Sequence, residues 1–281
     1  MSVKLIADSG STNCEWALLG NGKRKNISTS GISPYFLNNE EIAALLQKEL
    51  LPEMKNILVD EVYFYGTGLR NENNEKLVKA VLKKLMPAAD INVTHDLLGA
   101  ARALCGNEKG IVCILGTGSN SCYYNGKKIV KNNQSIGYIL GDEGGGAYLG
   151  KKVIQYFLYN TFDEELSGAF MKKFKTNATE ILENVYKKPL PNRYIASFAV
   201  FLSENRGHYM VENILEDGLN DFFFTHLLKY SERWTLPVHF TGSVAYGFKD
   251  VLKDICDSYQ LQLGKIIKTP MEGLVNYHSK E

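Results

Sequence analysis

Two short stretches of this chain carry residue types suited to binding phosphate: Asp8-Ser9-Gly10-Ser11-Thr12 and Gly116-Thr117-Gly118-Ser119. Glycine lets the backbone reach φ > 0 and lets a ligand approach the main chain closely. Successive N–H groups in such a turn form an anion nest, to which Thr117 and Ser119 add hydroxyl donors. In the first stretch Thr12 offers a hydroxyl to a phosphate, and Asp8 offers a carboxylate to Mg²⁺ or to its water. An isolated Gly-x-Gly turn is often a plain hairpin; the repetition is what argues for a ligand. Each stretch follows a short apolar run (3–7 and 111–115) and precedes a returning strand (14–19, ended by Gly20-Asn21-Gly22, and 122–124, closed by Asn125-Gly126). Two such hairpins facing each other could grip one polyphosphate from both sides. A glycine-rich turn with Asp142 and Glu143 follows the second hairpin, leaving room for a sugar-sized ligand beside the phosphates. No G-x-x-x-x-G-K-[ST] pattern occurs, so this is not a P-loop.

The elements that would position these turns follow from hydrophobic patterning. Residues 23–28 add a third strand to the first hairpin. Asn38 or Asn39 caps a helix running to about Leu51, with Ile42, Leu45, Leu46 and Leu50 at helical spacing, and Pro52 ends it. Strand 62–65 leads into Gly66-Thr67-Gly68, a further turn open to a ligand. An amphipathic helix covers 73–86. Strand 91–93 leads to Thr94-His95-Asp96 and a helix to about Cys105. In the second half, helices are predicted over 146–160, 162–187, 193–204, 207–230, 244–259 and 271–278, with strands 237–240 and 263–267. The Phe222-Phe223-Phe224 run and the Leu227/Leu228 pair are assigned to the core. Strands alternating with helices predict α/β sheets. The 281 residues suffice for two domains, and with no low-complexity segment or long linker these are expected to close over a cleft.

Composition excludes several classes. A hydrophobic content of 44% with 22% charged residues is that of a soluble globular protein. A net charge of +1 generates no field for nucleic acid or an anionic membrane. No signal-peptide pattern precedes the first strand, and no apolar stretch is long enough to span a bilayer. The five cysteines form no C-x-x-C pair and read as reduced, mostly buried thiols of a cytoplasmic protein. His208, His226, His239 and His278 lack metal-ligand spacing, which gives no zinc site, and His95 is taken as a flanking residue.

DSGST (8–12), LGTGSNS (115–121), GYILGDEGG (137–145) and TGSVA (241–245) resemble, in order and spacing over nearly the whole chain, the phosphate and adenosine motifs of the actin/hexokinase/heat-shock ATPase superfamily. Within it the resemblance is to the BadF/BadG and N-acetylglucosamine kinase family. It implies an α/β fold of two ribonuclease H-like (actin-like ATPase) domains with a cleft between them. The first domain would be 1–105, with a C-terminal helix 271–281 packing back on it, and the second 106–270. It implies ATP and Mg²⁺ as cofactors. Asp8, Gly10, Ser11 and Thr12 with Gly116, Thr117 and Gly118 would take the phosphates, Asp8 would also hold the metal, and Gly242 and Ser243 would lie against the nucleotide. Gly66, Ser119, Asn120, Asp142 and Glu143 would contact the substrate. THDLLGAARA (94–103) resembles the family segment whose aspartate takes a proton from a sugar hydroxyl, which makes Asp96 the candidate catalytic base. Structural readings stand beside these. Aspartate is a favoured helix N-cap, and Asp96 can do both jobs. Asp142 and Glu143 suit a helix N-terminus, Asn120 suits a turn, and 241–243 suits an ordinary β–α turn.

One stretch departs from the family pattern. Where amino-sugar kinases carry an asparagine that helps hold the sugar, GISPYF (31–36) offers Ser33 and Pro34, which bears on the sugar and not on ATP. The expected function is therefore an ATP-dependent kinase of a hexose or amino sugar, N-acetylglucosamine first among them. The rival readings are an ATPase activator that couples hydrolysis to electron transfer through a shared iron–sulfur cluster, for which Cys105 and Cys113 are the candidate ligands, and a non-catalytic sugar or nucleotide sensor. Partners are a small sugar, with no nucleic acid and no membrane; homodimers are common in the family, though no residue pattern here marks a dimer surface.

Overall fold

The structure is a computed structural model that describes residues 2–55 and 57–279. In chain order the strands are β1 (Lys4–Ser9), β2 (Asn13–Gly20), β3 (Lys23–Ser30), β4 (Glu61–Gly66), β5 (Asp90–His95), β6 (Lys109–Leu115), β7 (Ser119–Asn125), β8 (Ile129–Asn133), β9 (Val238–Thr241) and β10 (Leu263–Ile267). The helices are α1 (Asn39–Glu49), α2 (Leu51–Met54), α3 (Glu72–Leu85), α4 (Asp96–Cys105), α5 (Gly137–Leu140), α6 (Gly146–Leu158), α7 (Glu164–Phe174), α8 (Ala178–Tyr186), α9 (Pro191–Ser197), α10 (Val200–Glu204), α11 (Tyr209–Thr225), α12 (Ser243–Gly247), α13 (Lys249–Ser258) and α14 (Met271–His278). Two compact units result. Unit 1 is Met1–Glu108 with Asn125–Ile129 and Thr269–Glu281; unit 2 is Lys109–Tyr124 with Val130–Lys268. Among the described residues no helix is long and apolar enough to cross a membrane.

Each unit holds a five-stranded sheet, and the two orders correspond: β3-β2-β1-β4-β5 in unit 1 and β8-β7-β6-β9-β10 in unit 2. In unit 1, β1 pairs antiparallel with β2 and parallel with β4, and β5 runs parallel to β4. In unit 2, β6, β9 and β10 are parallel. A hairpin meander followed by parallel crossovers, made twice, is the actin-like ATPase α/β fold expected from the motifs.

Alternation along the strands decides what lies on each face of the unit 1 sheet. Leu5, Ala7, Val62 and Phe64 join the core under α1 and α3, where Ile42, Leu46, Val78 and Leu82 are buried. Ile6 and Tyr65 face the other way, toward Met271, Leu274 and Val275 of α14. Burial on both faces explains the near-continuous apolar runs. Asp8 shares the parity of Ile6 and is paired with Tyr65 across the sheet, so it lies on the α4/α14 side. Helix α4 comes close to that face because Gly99 has no side chain; a Cβ there would meet the Tyr65 ring at 2.8 Å. Gly273 does the same for α14, whose Cβ would run into the backbone of Ala103 in α4.

Unit 2 packs its sheet under a helical layer with one extended core. Helices α6 and α9 pack through Gly150, where a Cβ would fall on the Ile195 carbonyl oxygen. Gly150→Ala is therefore expected to cost about 1–3 kcal/mol, because the obstacle is backbone and cannot rotate away. Thermal unfolding checks it; an unchanged Tm would mean that α9 yields freely.

Several expected elements differ. The polar run after the second hairpin contains β8, and the glycine-rich turn opens with the short helix α5. Pro52 starts α2 rather than only ending α1, consistent with proline's tolerance in the first turn. The helix expected over 162–187 breaks where Lys175 takes φ 47°, and α9/α10 and α12/α13 replace two longer predicted helices. After α11, residues 227–229 and 231–234 form single 3₁₀ turns. Phe222 and Phe223 are core, but Phe224 is 71% exposed, since three consecutive residues cannot share one helix face. Helix α14 is described to His278; residues 280 and 281 of the expected 271–281 helix lie outside the described residues.

Candidate active site

In unit 1 the candidate residues gather at the carboxyl ends of β1, β4 and β5, where parallel α/β sheets bind ligands. Asp8 lies inside β1 and not in the following turn, and Asp96 opens α4 directly after β5. The β1–β2 turn is held tightly. The Gly10 N–H donates to the Asn13 carbonyl at 3.0 Å, and the Gly31 N–H donates to the Thr12 carbonyl at 2.9 Å. Ser9 Oγ accepts from the Ile32 N–H at 2.9 Å. Gly31 has to be glycine, because a Cβ would meet the backbone of Ser11 and Thr12 at 2.7 Å. The Thr67 N–H ties the β4 end to the Ser9 carbonyl at 2.9 Å. Gly66 is not open to a ligand in the way its sequence context suggests. It ends β4, and a Cβ there would meet the Phe64 ring at 2.6 Å, so packing is what demands the glycine.

Electrostatics single out the two carboxylates. Burial, with the Asp96 and Glu15 charges added, pushes the Asp8 pKa up to about 8. Burial pushes Asp96 up to about 6, held back by hydrogen bonds from the Leu97 N–H and the Thr67 hydroxyl. Asp96 Oδ1 accepts from its own neighbour's N–H, Leu97, at 2.8 Å. The helix cap is His95, whose Nδ1 accepts from the Leu98 N–H at 3.3 Å. Burial and the charges of Arg70 and Arg102 lower the His95 pKa to about 4, which keeps that ring neutral and able to cap. His95, taken from sequence as a bystander, thus fixes the helix end on which Asp96 sits.

In unit 2 the β6–β7 turn and the start of α6 form one backbone assembly. The Gly116 N–H donates to the Gly118 carbonyl at 3.0 Å. The first helical N–H groups of α6 are used internally: Gly146 donates to the Gly116 carbonyl at 2.7 Å and Ala147 to the Thr117 carbonyl at 2.8 Å. Gly145 and Gly118 are in mutual contact, since a Cβ on Gly145 would meet Gly118 backbone at 2.7 Å. A Cβ on Gly118 would in turn meet the Asp142 carboxylate at 2.6 Å. Asp142 takes φ 60°, unusual for a side-chain-bearing residue. Its Oδ1 accepts from Ser135 Oγ at 2.8 Å and from the Ser119 N–H at 3.4 Å. Burial raises its pKa.

Ser119 lies inside β7; its Oγ is buried with no hydrogen-bond partner among the described residues, as is Thr241 Oγ1 at the end of β9. Asn120 Oδ1 accepts from the Ser121 N–H and from Asn132 Nδ2, each at 2.9 Å, so its amide is already oriented. Glu143 Oε2 stands 3.5 Å from His226 Nε2. Gly242 takes φ 119° and passes so close to Leu115 that a Cβ would fall on its carbonyl oxygen; Ser243 follows, exposed, at the start of α12. Gly31, Thr67, Ser135 and His226 are the contributors that sequence reasoning did not single out. Only Gly31 and Thr67 had a local signal: Gly31 is itself a loop glycine, and Thr67 stands between Gly66 and Gly68.

Cys105 and Cys113, the cluster ligands of the electron-transfer reading, are both buried, and burial holds the Cys113 thiol well above its usual range. An interface-bridging cluster needs exposed thiolates instead.

No family model matches the chain, and no curated protein matches it. Solved structures do. A Porphyromonas gingivalis protein described as a candidate N-acetylglucosamine kinase is 40% identical over 100% of this chain and 99% of its own, with a TM-score of 0.94. A Chromobacterium violaceum protein of the same description is 14% identical, covered 99% on both sides, at TM-score 0.71. A ROK family glucokinase from Streptomyces griseus, solved with glucose and AMPPNP, is 14% identical with the same coverage at TM-score 0.57; these two similarities speak to fold alone. Matched end to end at that 40% identity, with its motifs in order on two corresponding sheets, the chain belongs to the BadF/BadG and N-acetylglucosamine kinase-like family of the actin/hexokinase/heat-shock ATPase superfamily.

Proposed function

We propose that this protein is an ATP-dependent sugar kinase whose acceptor is an N-acetylglucosamine-type amino sugar and whose catalytic base is Asp96. The observation that carries the reading is the pair Asp8 and Asp96 at the carboxyl ends of parallel strands in unit 1, close enough for the charge of one to raise the pKa of the other. Asp96, with a pKa of about 6, is ionised at neutral pH yet basic enough to accept a proton. The sugar hydroxyl gives that proton to Asp96 as its oxygen bonds to the γ-phosphorus, and the bond from phosphorus to the β-phosphate oxygen breaks, releasing ADP. The Thr67 hydroxyl and the Leu97 N–H hold Asp96 in place for this transfer. In the same reading Gly10, Ser11 and Thr12, with Gly116, Thr117 and Gly118, bind phosphates, Gly242 and Ser243 meet the nucleoside, and Ser119, Asn120, Asp142 and Glu143 bind the sugar.

The donor set fits Mg²⁺. Among the described residues no group of three or more His, Cys, Asp or Glu side chains forms a metal cluster. Asp8 with Asp96 nearby is the sparse, oxygen-only arrangement that Mg²⁺ accepts when phosphates and waters complete its shell. When bound, the ion would neutralise phosphate charge; Asp8 would hold it directly or through water.

The test is ADP release from ATP–Mg²⁺ with N-acetylglucosamine, glucosamine, N-acetylmuramic acid, N-acetylmannosamine and glucose in turn. Stimulation by N-acetylglucosamine is expected. Release that no sugar stimulates would defeat the kinase reading. Stimulation by another sugar alone would defeat the acceptor assignment and direct attention to Ser33 and Pro34.

A further inference from the structure

The loop between α5 and α6 carries two carboxylates, and each is held by a different means. Asp142 is held by Ser135, ahead of α5, and by the Ser119 N–H of β7. Glu143 meets His226, the residue that closes α11. The His226 ring is buried and stacked on Phe222, with ring centroids 5.0 Å apart. On its far side, His226 Nδ1 lies 3.5 Å from Ser121 Oγ. Ser121 Oγ lies 2.9 Å from the Tyr230 hydroxyl, and that hydroxyl accepts the Asn133 N–H at 2.8 Å.

Proton directions follow from this chain of partners. The Glu143 carboxylate faces Nε2 and can only accept, so the single proton of the neutral ring sits on Nε2. Nδ1 is then bare and accepts from Ser121 Oγ, whose oxygen in turn accepts the Tyr230 proton. Burial lowers the His226 pKa against the pull of Glu143, so the ring is neutral at pH 7. A second bond secures the residue from behind: Asn133 Nδ2 donates to the His226 carbonyl at 2.5 Å.

We propose that His226 is a positioning residue that holds the Glu143 carboxylate through its Nε2–H in the orientation that accepts a hydrogen bond from a hydroxyl of the bound sugar. This rests on the sugar-kinase reading. A half-buried carboxylate in a glycine-rich loop has many rotamers, and a neutral donor of fixed tautomer selects one of them without cancelling its charge. Losing the group that orients a metal ligand typically costs about 10–100-fold, and a carboxylate oriented in the same way for a sugar is expected to be as sensitive.

Two measurements decide it. In steady-state kinetics, His226→Leu should raise the KM for the sugar about 10–100-fold with the KM for ATP unchanged. His226→Gln, which keeps an N–H near the Nε2 position, should restore most of that loss. A His226→Leu enzyme with wild-type Tm and wild-type sugar KM overturns the role, as does equal impairment in both variants. In nitrogen-15 NMR of the ligand-free wild type at pH 7, the His226 ring should show the neutral Nε2–H tautomer. An Nδ1–H tautomer or a cation overturns the proposal whatever the variants do. A wild-type enzyme that no sugar stimulates overturns the kinase reading and the sugar role together, whereas wild-type turnover with unaffected variants overturns the role of His226 alone.

Discussion

Asp96→Asn is expected to lower kcat by about 10²–10⁴-fold while nucleotide binding persists. The substitution keeps the side chain's shape and its oxygen for the Leu97 N–H, so α4 should still form, and His95 continues to cap it. What disappears is the negative charge and with it the capacity to take a proton. Sugar-stimulated ADP release and nucleotide affinity, measured on the same preparation, separate the two effects. Near-normal turnover would remove Asp96 from the role of base. In the wild type, kcat/KM should fall as pH drops through about 6, because protonating Asp96 removes the acceptor. That acid limb should be missing from the residual activity of the variant.

Asp8→Asn is expected to abolish activity yet make the ligand-free protein more stable at pH 8. The sign follows from linkage. Asp8 in the folded protein has a pKa of about 8 against an ordinary 3.8, so the native state keeps a proton that the unfolded chain releases. Stability from this group is fully present below about pH 4 and is lost progressively as pH rises to about 8. Each unit is worth about 1.4 kcal/mol, which sets a ceiling on the order of 4 kcal/mol at pH 7. Asp8 as a residue is only partly buried, so the realised effect should be nearer half of that. Asparagine removes the dependence altogether. Thermal unfolding at pH 5 and pH 8 should show the variant's advantage growing with pH, and an equal Tm difference at both would contradict it. A ligand-free protein held back by its own active-site acid is an instance of stability given up for function.

The sequence was informative wherever a signal was local. The strand–turn–strand units around Gly10 and Gly116 were visible because apolar runs and glycine turns lie within a few residues of each other. Asp96 was visible as a polar residue at a strand–helix junction, but the cap went to His95, one position earlier, a difference that depends on which side chain can bend back to the Leu98 N–H. Lys175 ends α7 in a left-handed conformation with neither glycine nor proline to announce it. Strand β8 has the polar sequence IVKNN and exists because β7 offers it an edge. His226 was the least legible. Its environment is made by Ser121, 105 positions away in the chain, and by a loop that no periodicity links to α11.

Helix α14 comes last among the described helices, yet it completes the first unit. Lys4 Nζ donates to the His278 carbonyl at 2.9 Å, the Tyr65 hydroxyl lies 2.8 Å from His278 Nε2, and Gly273 lets the helix settle on α4. During synthesis, then, the face of the first sheet that carries Asp8 has only α4 to cover it until all of the second unit has left the ribosome. The nascent first half leaves Ile6, Ala17 and Tyr65 without the α14 side of their packing for that whole interval. The base-bearing helix gains its outer support only at the end, so a chain cut before residue 271 should leave the ribosome with Asp96 present and its scaffold unfinished.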